Sequence, residues 1–110
     1  LRLSFSDPVL VHDVNAGGTL NMLRACVEGC TPPAEGSGTN VSHIERFVYV
    51  SSSEVYGSAK SAPMSEEHPL DPTTVYGASK LAGELYTTAH LHSWGLPSVV
   101  VRPFNSYGYH

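Results

Sequence analysis

Arg46-Phe47-Val48-Tyr49-Val50-Ser51-Ser52-Ser53-Glu54-Val55-Tyr56-Gly57 is the stretch on which the fold turns. Phe, Val, Tyr and Val crowd β-favouring side chains together and three serines end the apolar run, so Phe47 to Ser51 reads as a short buried strand. In parallel α/β sheets, ligands bind beyond the carboxyl ends of the strands, which is where Ser52 falls. If the backbone stays extended there, Ser52 and Glu54 project to one side and Ser51 and Ser53 to the other. One hydroxyl and one carboxyl would then face a common cleft. A strand end capped by small hydroxyl residues looks the same, so the serines alone decide nothing.

The next informative segment is Tyr76-Gly77-Ala78-Ser79-Lys80. Tyrosine and lysine four apart share one face of a helix, about 5–6 Å from each other. The ammonium then favours the phenolate. A free tyrosine titrates near pKa ~10, so service as a base near pH 7 requires a shift of roughly 3 units, about 4 kcal/mol. A nearby lysine in a partly dehydrated pocket, helped by the positive end of a helix, is a source of that size. A plain surface pair has the same spacing, and it is the serine-rich strand end upstream that favours chemistry.

Working outward, Asp7-Pro8 marks a helix start, with aspartate as cap and proline in the first position. Val11, Val14, Leu20, Leu23 and Val27 recur at about helical spacing through Gly29, across a Gly17-Gly18 pair that costs helix stability. A loop rich in Gly, Pro, Ser and Thr follows. A second helix is expected from about Thr73 to Trp94, closed by Gly95. Pro97-Ser98-Val99-Val100-Val101-Arg102 makes a second strand. The order helix, strand, helix, strand predicts α/β architecture with the strands in one parallel sheet.

These segments together resemble the extended short-chain dehydrogenase/reductase family, specifically its NAD-dependent nucleotide-sugar epimerases and dehydratases. The resemblance rests on Ser6-Asp7-Pro8, Asp13-Val14-Asn15, Gly18-Thr19-Leu20, Phe47 to Gly57, Tyr76 to Lys80, and Arg102-Pro103-Phe104-Asn105-Ser106-Tyr107-Gly108. It implies an incomplete, Rossmann-like, doubly wound parallel sheet. Residues 1–110 would be the central part of an NAD-binding domain, with the phosphate-binding N-terminal part and the substrate domain outside it and residues 31–45 an inserted loop.

The resemblance further implies Tyr76 as catalytic base and Lys80 as its electrostatic partner and cofactor-ribose ligand. Ser52 becomes the hydroxyl that orients the sugar, Asn15 and Ser51 further cofactor contacts, and Ser53 and Asn105 further substrate contacts. The implied reaction is transient oxidation of a hexose hydroxyl, as in a 4-epimerase. A 4,6-dehydratase or decarboxylase is the alternative, and there Glu54 joins the catalytic residues. Ser53 stands where dehydratases of the family often carry aspartate. A noncatalytic fragment or interaction module is the reading from another class. NAD is the implied cofactor, with NADP left open, and a homodimer through the helices near 8–29 and 73–94 is the implied assembly.

Net charge is −4 and charged residues make up 15% of the chain, so there is no electrostatic footprint for nucleic acid. No apolar run approaches the ~20 residues of a membrane span. The expected partner is a nucleotide-sugar. Cys26 and Cys30 lack an accompanying Cys/His set at zinc-like spacing, so no metal site is expected and the thiols suit a reducing cytoplasm.

Overall fold

The computed structural model describes residues 2–30 and 44–108. The chain opens with two short helices, α1 (Arg2–Ser6) and α2 (Pro8–His12). Asp7 caps α2 as its sequence suggests, its Oδ1 accepting the Leu10 amide at 3.0 Å. The single helix expected from 8 to 29 is instead three pieces. A π-helical turn at Asp13–Gly17 separates α2 from α3 (Gly18–Cys30). Two local causes coincide there: Gly17-Gly18 has low helix propensity, and the Thr19 hydroxyl donates to the Asn15 carbonyl at 2.6 Å, a back-bond that bends helices. The helix Arg2–Ser6 is an addition to the expected elements.

β1 (Phe47–Val50) and β2 (Ser98–Val101) lie parallel, with Phe47 opposite Ser98 and Val50 opposite Val101. Between them runs α4 (Val75–Trp94). Its start is set by Thr74, whose Oγ1 accepts the Gly77 amide at 3.0 Å. Its end is set by Gly95, left-handed at φ 68°, whose amide returns to the Leu91 carbonyl. This is the expected Rossmann-like α/β piece: a parallel pair joined through a helix.

α2, the π-turn and α3 all pack against α4. Leu23 and Val55 are fully buried, and Val11, Ala16, Tyr49, Tyr56 and Leu96 complete the core. The strand expected to be buried is covered on one face only among the described residues. Tyr49 is 6% exposed, whereas Val48 and Val50 are 53% and 54% exposed, the alternation of a strand with one packed side. The insertion expected at 31–45 falls, apart from residues 44 and 45, outside the described residues.

Candidate active site

The serine segment stands at the carboxyl end of β1, whereas Tyr76 and Lys80 line cavities that do not include it. Ser51 continues the ladder through its amide to the Val101 carbonyl, Ser52 is still extended, and the backbone turns after it. Residues Ser53–Tyr56 form a 3₁₀ turn with Ser52 as its cap, the Ser52 Oγ accepting the Glu54 amide at 3.2 Å. This corrects the expectation that Ser52 and Glu54 share one side of a strand. A serine hydroxyl at the strand end can satisfy the first free amide of a turn, and that local bond replaces the alternation.

α4 abuts this turn. A side chain on Gly77 would come within 2.7 Å of the Glu54 carbonyl, so the absence of one lets the helix start close against the serine segment. Thr74 adds a long hydrogen bond, its Oγ1 donating to Glu54 Oε2 at 3.4 Å. From the other side Ser53 donates its amide to the Pro103 carbonyl at 3.1 Å, which ties the segment after β2 to the same end of the sheet. Asn105 follows in that segment and is exposed.

Tyr76 is half-buried and lines a cavity of about 240 Å³ with Leu10, Val11, Val14 and Asn15. Lys80 lines a second, of about 480 Å³, with Asn15, Thr19, Phe47 and Val48. Asn15, supplied by the π-turn, borders both. Its Nδ2 donates to Ser79 Oγ at 3.0 Å, and Ser79 donates to the Tyr76 carbonyl at 2.8 Å. Partial burial lowers the pKa of the Lys80 ammonium. Ser52 and Ser53 are half-buried, whereas Ser51 is buried and its hydroxyl has no hydrogen-bond partner among the described residues. Of the three serines, Ser51 is the one whose unpartnered hydroxyl is buried.

Three features lay beyond the sequence reading. Tyr49 packs under Lys80, its hydroxyl donating to the Lys80 carbonyl at 3.1 Å. Ser79 anchors Asn15. Arg102 reaches back from β2 to Glu84 on α4 in a two-pronged ion pair, Nε to Oε1 at 2.9 Å and Nη2 to Oε2 at 2.8 Å, and its Nη1 donates to the Tyr56 hydroxyl at 2.9 Å. Period-two alternation in β1 was the available signal for Tyr49. For Glu84 and Arg102 the only signal was a charge at the end of an apolar strand and another inside a helix.

A parallel strand pair joined through a helix that carries Tyr76 and Lys80, with serines at the end of the first strand, is a piece of a Rossmann-like epimerase or dehydratase. The family model described as GDP-mannose 4,6 dehydratase matches residues 1–110, and the chain belongs to that family. It is 44% identical over 66 residues to a dTDP-glucose 4,6-dehydratase of an Actinoplanes species, covering 60% of this chain and 21% of that protein. It is 31% identical over 109 residues to a putative UDP-glucose 4-epimerase of Methanocaldococcus jannaschii, covering 98% and 32%. The crystal structure of UDP-glucose 4-epimerase from Brucella ovis in complex with NAD superposes with a TM-score of 0.80 at 28% identity, covering 96% of this chain and 28% of that one. The chain thus spans about a fifth to a third of the length of these proteins.

Proposed function

We propose that the protein carrying this chain is an NAD-dependent nucleotide-sugar 4-epimerase that transiently oxidises a hexose hydroxyl. The observation that carries the reading is the placement of Tyr76 and Lys80 one turn apart on a capped helix whose start is pressed against the serine turn at the end of β1. The donor set suits a nicotinamide riboside: an ammonium, a phenol, an amide side chain at the border of both cavities, and the buried Ser51 hydroxyl without a partner. Such a cofactor, when bound, accepts a hydride from the hydroxyl-bearing carbon and returns it. Tyr76 takes the hydroxyl proton on its phenolic oxygen, and Lys80, one turn along the same helix face, is its electrostatic partner. Ser52 orients the sugar hydroxyl, with Ser53 and Asn105 as further substrate contacts. Asn15, through Ser79, fixes the turn of α4 that carries Tyr76.

Epimerisation needs only this relay. Elimination of water from a keto-sugar needs in addition a carboxyl group free to move protons, and Glu54 is engaged by the Thr74 hydroxyl on a turn that departs from the Ser52 side. That engagement favours the epimerase. The likeness to dTDP-glucose 4,6-dehydratases favours a dehydratase as the second reading. The test is to incubate the intact protein and Glu54→Gln with UDP- and dTDP-hexoses in deuterated water and follow the sugar by NMR. Inversion at C4 without deuterium at C5, retained in Glu54→Gln, is the expected result. Deuterium at C5 with loss of the C6 hydroxyl, abolished by Glu54→Gln, makes the protein a dehydratase.

Self-association through α3 and α4 belongs to the same reading, supported by exposed Leu20, Met22 and Leu85 on those helices. Light scattering of the intact protein gives a dimer mass if it holds.

A further inference from the structure

We propose that Tyr49 is a positioning residue for Lys80, holding the ammonium in place from beneath through its ring and the helix backbone through its hydroxyl. The inference rests on the reading of Tyr76 as base and Lys80 as its electrostatic partner, and it adds a residue on a different element that makes the partnership work.

The geometry is two-pointed. The Lys80 Nζ stands 5.2 Å from the centroid of the Tyr49 ring, within the range of cation–π attraction. The Tyr49 hydroxyl donates to the Lys80 main-chain carbonyl at 3.1 Å, so both ends of the lysine are registered against one strand residue. Tyr49 is 6% exposed and has little room to move. The ring reaches this place because residue 83 is glycine: a Cβ there would overlap the Tyr49 hydroxyl and the ring carbon that bears it. Tyr49 itself stays a phenol, since burial raises its pKa and the charges of Glu84 and Tyr76 add to the effect, the hydroxyl of Thr19 opposing. Thr19 on α3 and Tyr76, Lys80 and Glu84 on α4 are the titratable and polar groups that act on the ring.

An aromatic ring suits the task better than a carboxylate. A half-buried ammonium needs compensation for lost hydration, but a carboxylate at contact would cancel the field that Lys80 exerts on Tyr76. The ring quadrupole attracts the cation and leaves its net charge in place. Among the described residues no carboxylate forms an ion pair with Lys80.

The test uses the intact protein and the pH dependence of turnover. Tyr49→Leu removes ring and hydroxyl, and kcat at pH 7 is expected to fall roughly two- to thirtyfold, the range of a cation–π contact. KM for the nucleotide-sugar should stay within about twofold. The acid limb of the profile should move to higher pH, so that the deficit closes as pH rises. Tyr49→Phe keeps the ring and should keep the acid limb. Because Tyr49→Leu leaves space in the core, phenylalanines bearing increasing numbers of ring fluorines at position 49 supply a shape-preserving series, and the limb should move stepwise as the quadrupole weakens. A fluorine series with an unmoved limb overturns the proposal, as does a Tyr49→Leu profile lowered equally at every pH. Tyr76→Phe and Lys80→Met separate the two levels. If both abolish turnover while the fluorine series is flat, Tyr49 alone is misassigned; if both retain it, the base reading itself fails.

Discussion

Lys80 on α4 and Arg102 just after β2 are two cations, each set over a tyrosine ring, Tyr49 at 5.2 Å and Tyr56 at 4.9 Å, and they are held in opposite ways. Arg102 is locked. Two parallel hydrogen bonds join it to Glu84, a third goes to the Tyr56 hydroxyl and a fourth, at 3.3 Å, to the Glu66 carbonyl. Glu84 raises the guanidinium pKa further, so this charge never leaves. Lys80 has no such anion among the described residues, and burial pulls its pKa down. One cation is spent on joining β2, α4 and the turn at residues 53–56, whereas the other stays free of a carboxylate partner among the described residues, as the proposed role beside Tyr76 requires. The contrast lies in what faces each charge.

The comparison breaks most visibly at the working end. Tyr76→Phe should lower turnover of the intact protein by at least about 100-fold with substrate affinity nearly unchanged, since the ring still packs and only the proton relay is lost. Steady-state kinetics with a UDP-hexose checks it, and retention of more than about a tenth of the rate would remove Tyr76 from the base role.

At the structural end, Glu84→Gln should cost about 3 kcal/mol of stability, because it leaves a largely buried guanidinium without its anion. Urea unfolding of the intact protein measures it. If stability is unchanged, Arg102 is no more locked than Lys80 and the contrast disappears.

Gly83→Ala tests the ring under Lys80 from the helix side. The added methyl meets the Tyr49 hydroxyl, and overpacking of this kind costs about 1–3 kcal/mol. Combining it with Tyr49→Leu, which makes room, should recover part of the loss in thermal melts.

The smallest effect concerns Lys80 and stability, and its sign is opposite to that of a structural charge. With the folded-state pKa below the unfolded value, charging Lys80 disfavours the folded state wherever both forms are protonated. The cost persists below the folded pKa and is relieved as pH rises from there toward the ordinary value near ~10.4. Lys80→Met should therefore melt slightly above wild type at pH 7, with the gap narrowing at alkaline pH. A variant that melts lower at pH 7 would mean that Lys80 stabilises as Arg102 does.

Helix α4 was legible almost to the residue, because its ends are local chemistry: a threonine hydroxyl over the first turn and a glycine in the left-handed region. The two strands were equally plain in Phe47-Val48-Tyr49-Val50 and Ser98-Val99-Val100-Val101, as was the face shared by Tyr76 and Lys80, since period and spacing belong to the backbone. The reading failed where a side chain competes with the backbone for a hydrogen bond. Ser52 turns the strand into a 3₁₀ turn, and Thr19 with the glycine pair widens one turn between α2 and α3.

What only the tertiary structure decided is which residues stand beside the candidate site. Tyr49 lies 31 positions from Lys80, Asn15 lies 64 from Ser79, and Glu84 lies 18 from Arg102. No periodicity links such pairs. Their meeting depends on α4 folding back over β1, on the missing side chains at Gly77 and Gly83 that let it approach, and on the π-turn that aims Asn15 at the helix. The sequence by itself determined a helix bearing a tyrosine and a lysine on one face beside a strand that ends in serines. Packing over that strand determined that the lysine rests on a ring and the arginine on a carboxylate, because burial forces each charge to find whatever partner the fold brings to it.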